Sequence, residues 1–178
     1  MRKYYYTLAA LPLLDYDEAA PFPVEELHYM CRGNIAEEDY AILVEASLQP
    51  REKSGFEPLD RWYEWETALR NELIGYRAQR LGWETERHLR EGEIVTDVFD
   101  VARNAASQDS PLQAEGVLNR ARWNFLEELE TGHFFELTNL VVFSLKLQLL
   151  QRKDLFTRER GEKNFQEIYQ TVREDIQS

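Results

Sequence analysis

The sequence has one cysteine, no long apolar run and no excess of positive charge, and each absence narrows what the protein can be. Cys31 alone cannot form an internal disulfide, so we expect a reducing, cytoplasmic compartment. Lysine and arginine number 21 against 33 acidic residues, which gives a formal charge of −12. Because a negative protein is repelled by a phosphate backbone, the composition argues against nucleic acid as a partner.

The most apolar stretch, residues 134–150, is too short and too polar for a membrane span. It contains Glu136, Asn139, Lys146 and Gln148, whereas a spanning helix needs about 20 predominantly apolar residues. Its apolar residues occur on all sides of a helical wheel, which is typical of a helix enclosed by neighbours. We therefore expect no direct membrane span and predict that Leu137–Leu150 forms the centre of a helical bundle.

Apolar residues recur at the helical spacing over most of the chain. Between Pro58 and Gly82 they step by three or four and share one face: Trp62, Trp65, Leu69, Leu73 and Tyr76. The same stepping predicts helices over Ile94–Ala105, Ala114–Leu129 and Phe165–Ile176. Strand-like alternation is absent apart from an ambiguous Lys3–Leu8 stretch. The prediction is an all-α, multi-helix bundle that forms a single domain over residues 1–178.

Capping and helix-breaking residues predict where several of these helices begin and end. Ser110, Pro111 and Gln113 form a strong N-cap signature, and Asn34 with Glu37 forms a weaker one. Prolines restrict the N-terminal third to short helices, which we place at Val24–Arg32 and Ile35–Ser47. We interpret the polar segments Gln49–Glu57 and Ala105–Pro111 as surface loops.

One enzymatic alternative is a metal-dependent, di-iron-like oxidoreductase whose helical bundle holds a carboxylate-bridged metal pair. Glu25 with His28, and Glu130 with His133, offer a carboxylate and an imidazole at the helical i, i+3 spacing, and di-iron bundles combine two such pairs with two further glutamates. Nominal candidates for those further ligands are Glu64, Glu66 and Glu72. Because Gly132 predicts a helix end between Glu130 and His133, we favour a structural role for these residues. We assign no catalytic, cofactor or metal residues and expect a protein that is not an enzyme.

Two other groups of residues also favour packing over chemistry. Arg32 beside Cys31 could lower the pKa of the thiol, but a lone cysteine is more often a small buried residue. The aromatic residues at 62–65 could form a cage for a ligand, but they spread over more than one helix face. We expect core packing by Trp62 and Trp65, with Tyr63 at the rim.

Four stretches, taken in order, resemble one family of proteins. They are Lys3–Leu14 (KYYYTLAALPLL), Pro21–Leu27 (PFPVEEL), Trp62–Leu73 (WYEWETALRNEL), and Arg120–Leu129 (RARWNFLEEL) followed by Gly132–Glu136 (GHFFE). The chain resembles a family of short bacterial proteins of undefined function, whose members are typically encoded among the subunits of a V-type (archaeal-type) ATPase. The resemblance implies a role within that complex.

A second similarity, from Phe135–Phe143 through Leu149 to Arg160–Phe165, is to the helix pair that ends a module of the ATPase C subunit, called d in eukaryotes. That subunit is an all-helical funnel, longer than this chain, which seats the central rotor stalk on the membrane ring. The resemblance implies a non-catalytic accessory or C-like stalk subunit in proton or sodium transport. Its partners would be the other ATPase subunits, at the cytoplasmic face of the inner membrane. A general protein-interaction adaptor unrelated to the ATPase is the remaining alternative.

Overall fold

The computed structural model describes residues 3–81 and 97–155, and these residues form helices without any strand. The helices are α1 (Tyr5–Ala9), α2 (Val24–Cys31), α3 (Glu37–Glu45), α4 (Glu57–Leu81), α5 (Val98–Ala106), α6 (Pro111–Glu130) and α7 (Leu137–Leu155). The all-α prediction is confirmed. Ile94 and the predicted helix Phe165–Ile176 lie outside the described residues, as does Arg160–Phe165 of the second similarity.

Helix α7 lies at the centre of the described fold, as its apolar pattern predicts. It contacts α2, α3, α4 and α6, and most of its residues up to Leu150 are buried. Within residues 3–81 and 97–155, no helix has the length and apolar character needed to cross a membrane. The helix therefore buries its apolar surface by packing against other helices of the same chain.

Helix α4 packs against α5, α6 and α7 and contributes the aromatic centre of the core. Trp62 and Trp65 stack with ring centroids 5.9 Å apart, and Trp65 stacks on Phe125 of α6 at 4.6 Å. Both tryptophans are buried, so the predicted core packing is confirmed. The placement of Tyr63 at the rim is wrong: its side chain is buried, and its hydroxyl donates to the Glu45 carbonyl at 3.3 Å. The first half of α4 is therefore surrounded by neighbouring segments on several sides.

The two predicted N-caps have different outcomes. Helix α6 begins at Pro111, and the Ser110 hydroxyl accepts a hydrogen bond from the Leu112 N–H at 3.2 Å, as predicted. Helix α3 begins two residues later than predicted, with Ala36 at its N-cap. The Asn34 side chain instead donates to the Met30 carbonyl at 2.7 Å. The cap signature at Asn34 was wrong because this amide closes the end of α2.

The N-terminal third is attached to α7 by hydrogen bonds from its backbone to polar side chains. Gln148 accepts from the Leu48 N–H at 3.3 Å and donates to the Ala46 carbonyl at 2.9 Å. Two further N–H groups are satisfied one and two turns along α7: Val24 by Gln151 at 3.3 Å and Ala20 by Asp154 at 3.2 Å. These contacts explain why an otherwise apolar helix carries amides and a carboxylate.

Candidate functional site

The chain segment after α6 meets the N-terminal segment and forms a corner at the surface. Helix α6 ends at Glu130, and Gly132 has a φ of 87°, which confirms the helix end predicted there. The backbone N–H of Tyr4 donates to the Phe135 carbonyl at 2.6 Å, and the Lys3 ammonium donates to the Phe134 carbonyl at 2.9 Å. Two segments far apart in sequence are therefore fixed side by side.

Four aromatic side chains project from this corner, and we call them the aromatic surface: Tyr5, Tyr6, Phe134 and Phe135. Tyr6 is 88% exposed and Phe134 is 69% exposed. The Tyr5 ring lies 4.6 Å from that of Phe135 and 5.6 Å from that of Tyr6, measured between centroids. Clusters of exposed aromatic side chains are a feature of protein-binding surfaces, because a partner that covers them removes a large apolar area from contact with water, which favours binding.

Phe135 has a backbone conformation that an ordinary side chain seldom adopts. Its φ is 58°, and it is the only non-glycine residue with positive φ in the described part of the chain. A non-glycine residue in this left-handed region costs about 1 to 2 kcal/mol. Backbone strain of this kind concentrates at functional sites. The hydrogen bond from the Tyr4 N–H to the Phe135 carbonyl helps to hold this conformation, in which the Phe135 ring is partly exposed at the surface and adds little to the core.

Charged groups hold the base of the aromatic surface in place. The Glu136 carboxylate accepts from the Lys3 ammonium at 2.5 Å and contacts the His133 ring at 2.9 Å. These hydrogen bonds, that from Lys3 first, keep the pKa of the Glu136 carboxyl below its ordinary value. On the inner side, the buried Tyr4 hydroxyl donates to the Asp39 carboxylate. Asn139 of α7 donates to the His133 carbonyl at 3.2 Å, so the corner is joined to both α3 and α7.

A shallow groove extends the aromatic surface towards α2. Its volume is about 350 Å³, and its walls include Tyr6, Leu11 and Met30. Tyr29, next to Met30, is 80% exposed. Methionine adapts its shape to different partners, and a groove beside rigid aromatic rings suits a protruding apolar side chain of another protein.

The residues of the metal-pair hypothesis do not come together as a site. In the ranges 3–81 and 97–155, no three or more His, Cys, Asp or Glu side chains converge as metal ligands would. His133 lies beyond the end of α6, so it does not share a helix with Glu130. Glu130 instead binds Lys146 of α7 at 3.0 Å.

The other members of the metal-pair hypothesis are equally dispersed. Glu25 and His28 lie on α2, where burial lowers the pKa of the His28 imidazole. Glu64 pairs with Lys53 at 2.9 Å. Glu72 lies farther along α4, beyond Glu66, whose carboxylate is occupied by arginines. Among the described residues, none of these side chains comes together with two others to form a group that could bind a metal ion.

Glu66 and Arg122 form a buried ion pair that sequence reasoning missed. Arg122 donates to the two Glu66 oxygens at 2.9 and 3.0 Å, and both side chains are almost completely buried. Glu66 also accepts from Arg70 at 2.7 Å, while Arg122 also donates to Asn119 at 3.1 Å. Burial lowers the pKa of Arg122, but the charge and hydrogen bonds of Glu66, together with the charge of Glu115, raise this pKa overall. The pair joins α4 to α6 within the core.

Cys31 is a packing residue, and we predict that its thiol is unreactive in the folded protein. The side chain is fully buried, and burial raises the pKa of the thiol to about 11. Compared with an ordinary cysteine at pH 8, the thiolate fraction falls by about a hundredfold. A thiol-specific reagent should therefore label the native chain slowly and the denatured chain rapidly. Rapid stoichiometric labelling of the native chain would contradict this assignment.

Comparison with known proteins supports a family similarity over part of the chain. No curated protein and no solved structure matches the sequence. One family matches a region of the chain that includes α5, α6 and α7. Over residues 92–176, the chain is similar to the family described as "Protein of unknown function (DUF2764)".

Proposed function

We propose that the protein is a non-catalytic accessory or C-like stalk subunit of a V-type (archaeal-type) ATPase. In this role it helps to couple the central stalk to the membrane rotor ring. It is held at the cytoplasmic face of the inner membrane through the complex. The observation that carries the proposal is the aromatic surface, which is exposed on a rigid helical body and suits contact with another protein.

The sequence resemblance gives this surface a partner class. Two of the resembling stretches, Lys3–Leu14 and Gly132–Glu136, meet at the corner and supply all four side chains of the aromatic surface. The third stretch, Trp62–Leu73, and the first part of the fourth, Arg120–Leu129, contain Glu66 and Arg122 and are joined by that ion pair. The residues that resemble the ATPase-associated family thus build both the exposed surface and the buried ion pair of the core.

The core is suited to a subunit that transmits force between partners. Aromatic stacking between α4 and α6 and the enclosure of α7 by four helices resist deformation, because close-packed interiors have low compressibility. The attachment of the corner to α3 through Tyr4 and to α7 through Asn139 connects the aromatic surface to this core. A load applied at the surface therefore passes directly into the bundle.

Affinity purification from the native host tests the proposal. A tagged full-length chain should retain ATPase stalk subunits under conditions that preserve the complex. The variant Tyr6→Ala should lower their recovery at least about tenfold, since an interface tyrosine can contribute 2 kcal/mol or more. The protein itself should remain folded, because Tyr6 is 88% exposed.

Phe99→Ala is the matched control for this experiment. Phe99 is an aromatic residue of α5 that is 47% exposed, and it does not belong to the aromatic surface. Its variant should recover the stalk subunits as the wild type does. Recovery of unrelated proteins alone would favour a general adaptor. If Tyr6→Ala did not lower the recovery of stalk subunits, the aromatic surface would not be the surface that binds them.

A further inference from the structure

A second surface feature is a cleft between the α3–α4 loop, α4 and α7, which is charged where the first surface is aromatic. Its volume is about 880 Å³. The charged side chains that line it are Arg51 from the loop, Arg70 from α4 and Arg152 from α7, and no carboxylate residue is among the described lining residues. In a chain with 33 acidic and 21 basic residues, this local excess of positive charge is the reverse of the overall composition.

Two of these arginines are positioned from behind by carboxylates. Arg70 donates its Nε–H to the buried Glu66 at 2.7 Å, and Arg152 donates from Nη2 to Glu115 at 2.6 Å. Each guanidinium group has five N–H donors, so most of them are not used in these bonds. The two side chains remain 27% and 31% exposed. Positioning by a carboxylate lowers the entropy that a ligand would otherwise have to remove.

Arg51 differs from the other two because it is not committed to a structural ion pair. It follows Pro50 in the loop, is exposed, and has no salt bridge to any described residue. Gln148 and Gln151 of α7 add amide groups to the same wall. The cleft thus presents planar guanidinium groups from three different segments of the chain.

The charge of the cleft remains positive after the internal carboxylates are counted. Behind the cleft, Arg70, Arg152 and the buried Arg122 form one ion-pair network with Glu66 and Glu115. Arg51 lines the cleft outside that network, so the count is four arginines and two glutamates. The difference, four minus two, is a charge of +2. A concave positive surface on a negative protein concentrates anions locally, because low-dielectric walls focus the field.

We propose that this cleft binds a small molecule carrying at least two phosphate or carboxylate groups. Guanidinium forks pair bidentately with both kinds of anion. The volume lies within the range of about 300 to 1,000 Å³ that is typical of small-molecule sites. Three arginines from separate segments favour a ligand with several anionic groups over one with a single charge.

Calorimetric titration of the full-length chain with pyrophosphate and with citrate tests the proposal. At least one of the two should bind saturably, and added salt should weaken the affinity. Binding of pyrophosphate alone supports a phosphate ligand, and binding of citrate alone supports a polycarboxylate ligand. Arg51→Gln should lower the affinity about tenfold to a hundredfold, which is the effect of losing one charged hydrogen-bonding partner.

Arg61→Gln is the matched control, because it makes the same change of charge on α4 outside the cleft. Arg61 is exposed and contacts Glu57 at 3.7 Å. Its variant should bind the anion as the wild type does, and both variants should unfold at the same denaturant concentration as the wild type. The proposal would be overturned if neither anion bound, or if the two variants weakened binding equally. Neither outcome bears on the recovery of ATPase subunits.

Discussion

Arg122→Met should lower the free energy of unfolding by about 3 to 5 kcal/mol. The substitution removes the two hydrogen bonds from Arg122 to Glu66, whose side chain is fully buried. Arg70 remains on one carboxylate oxygen, but the other oxygen is left in the interior without its donor. Chemical denaturation followed by circular dichroism measures the loss.

The double variant Glu66→Leu, Arg122→Met distinguishes the net contribution of the ion pair to stability from the cost of leaving one buried charge unpaired. When both members are replaced by apolar residues of similar size, no charge is left in the core between α4 and α6. The double variant should recover most of the stability lost by Arg122→Met, because buried ion pairs are often no better than well-packed apolar residues. A double variant less stable than Arg122→Met would contradict this explanation.

Trp62→Ala should be destabilising by about 3 to 5 kcal/mol, which is typical of the removal of a large buried aromatic side chain. The Trp62 ring is fully buried and stacks against Trp65 at 5.9 Å. Its indole N–H also donates to the Ser47 carbonyl at 3.0 Å. The substitution therefore creates a cavity and leaves a backbone acceptor of the α3–α4 loop without its donor.

Tyr6→Ala supplies the contrast for this measurement. Tyr6 is also an aromatic residue on a helix, but it is 88% exposed. Its removal should change the free energy of unfolding by less than about 0.5 kcal/mol, as for most surface substitutions. If Trp62→Ala and Tyr6→Ala cost the same, the assignment of the core face of α4 would be wrong.

The sequence predicted those features that depend on residues close together in the chain. Apolar spacing placed Trp62, Trp65 and Leu69 on the buried side of α4, and the apolar surface of Leu137–Leu150 indicated an enclosed helix. The capping signal at Ser110 placed the start of α6 correctly. Each of these patterns can be recognised within a few helical turns, because helix geometry alone relates the residues.

Features that depend on distant partners were not predictable in the same way. Glu66 and Arg122 are 56 residues apart, and on a helical wheel each is an ordinary polar residue. Their burial depends on how α4 and α6 face each other, which no local spacing records. Lys3 and the Phe134 carbonyl are 131 residues apart, so the aromatic surface could not be assembled from its two stretches before the fold was known.

Glu130 and His133 of the metal-pair hypothesis are not brought together on one helix, and the physical reason is local. The i, i+3 spacing brings a carboxylate and an imidazole together only within a continuous helix. The left-handed Gly132 ends α6 before His133, and His133 then contacts Glu136 at 2.9 Å. The glycine that the sequence already showed was more informative than the spacing around it.

The hydrogen bonds from the N-terminal third to α7 impose an order on how the protein matures during translation. Leu48 and Ala46 precede Gln148 by about 100 residues, and Ala20 precedes Asp154 by 134. At about 5 to 20 residues per second, the ribosome needs several seconds to tens of seconds to make that intervening length. These backbone groups therefore gain their α7 partners only after that length has been made, and a chaperone that shields them during this interval should raise the yield of folded chain.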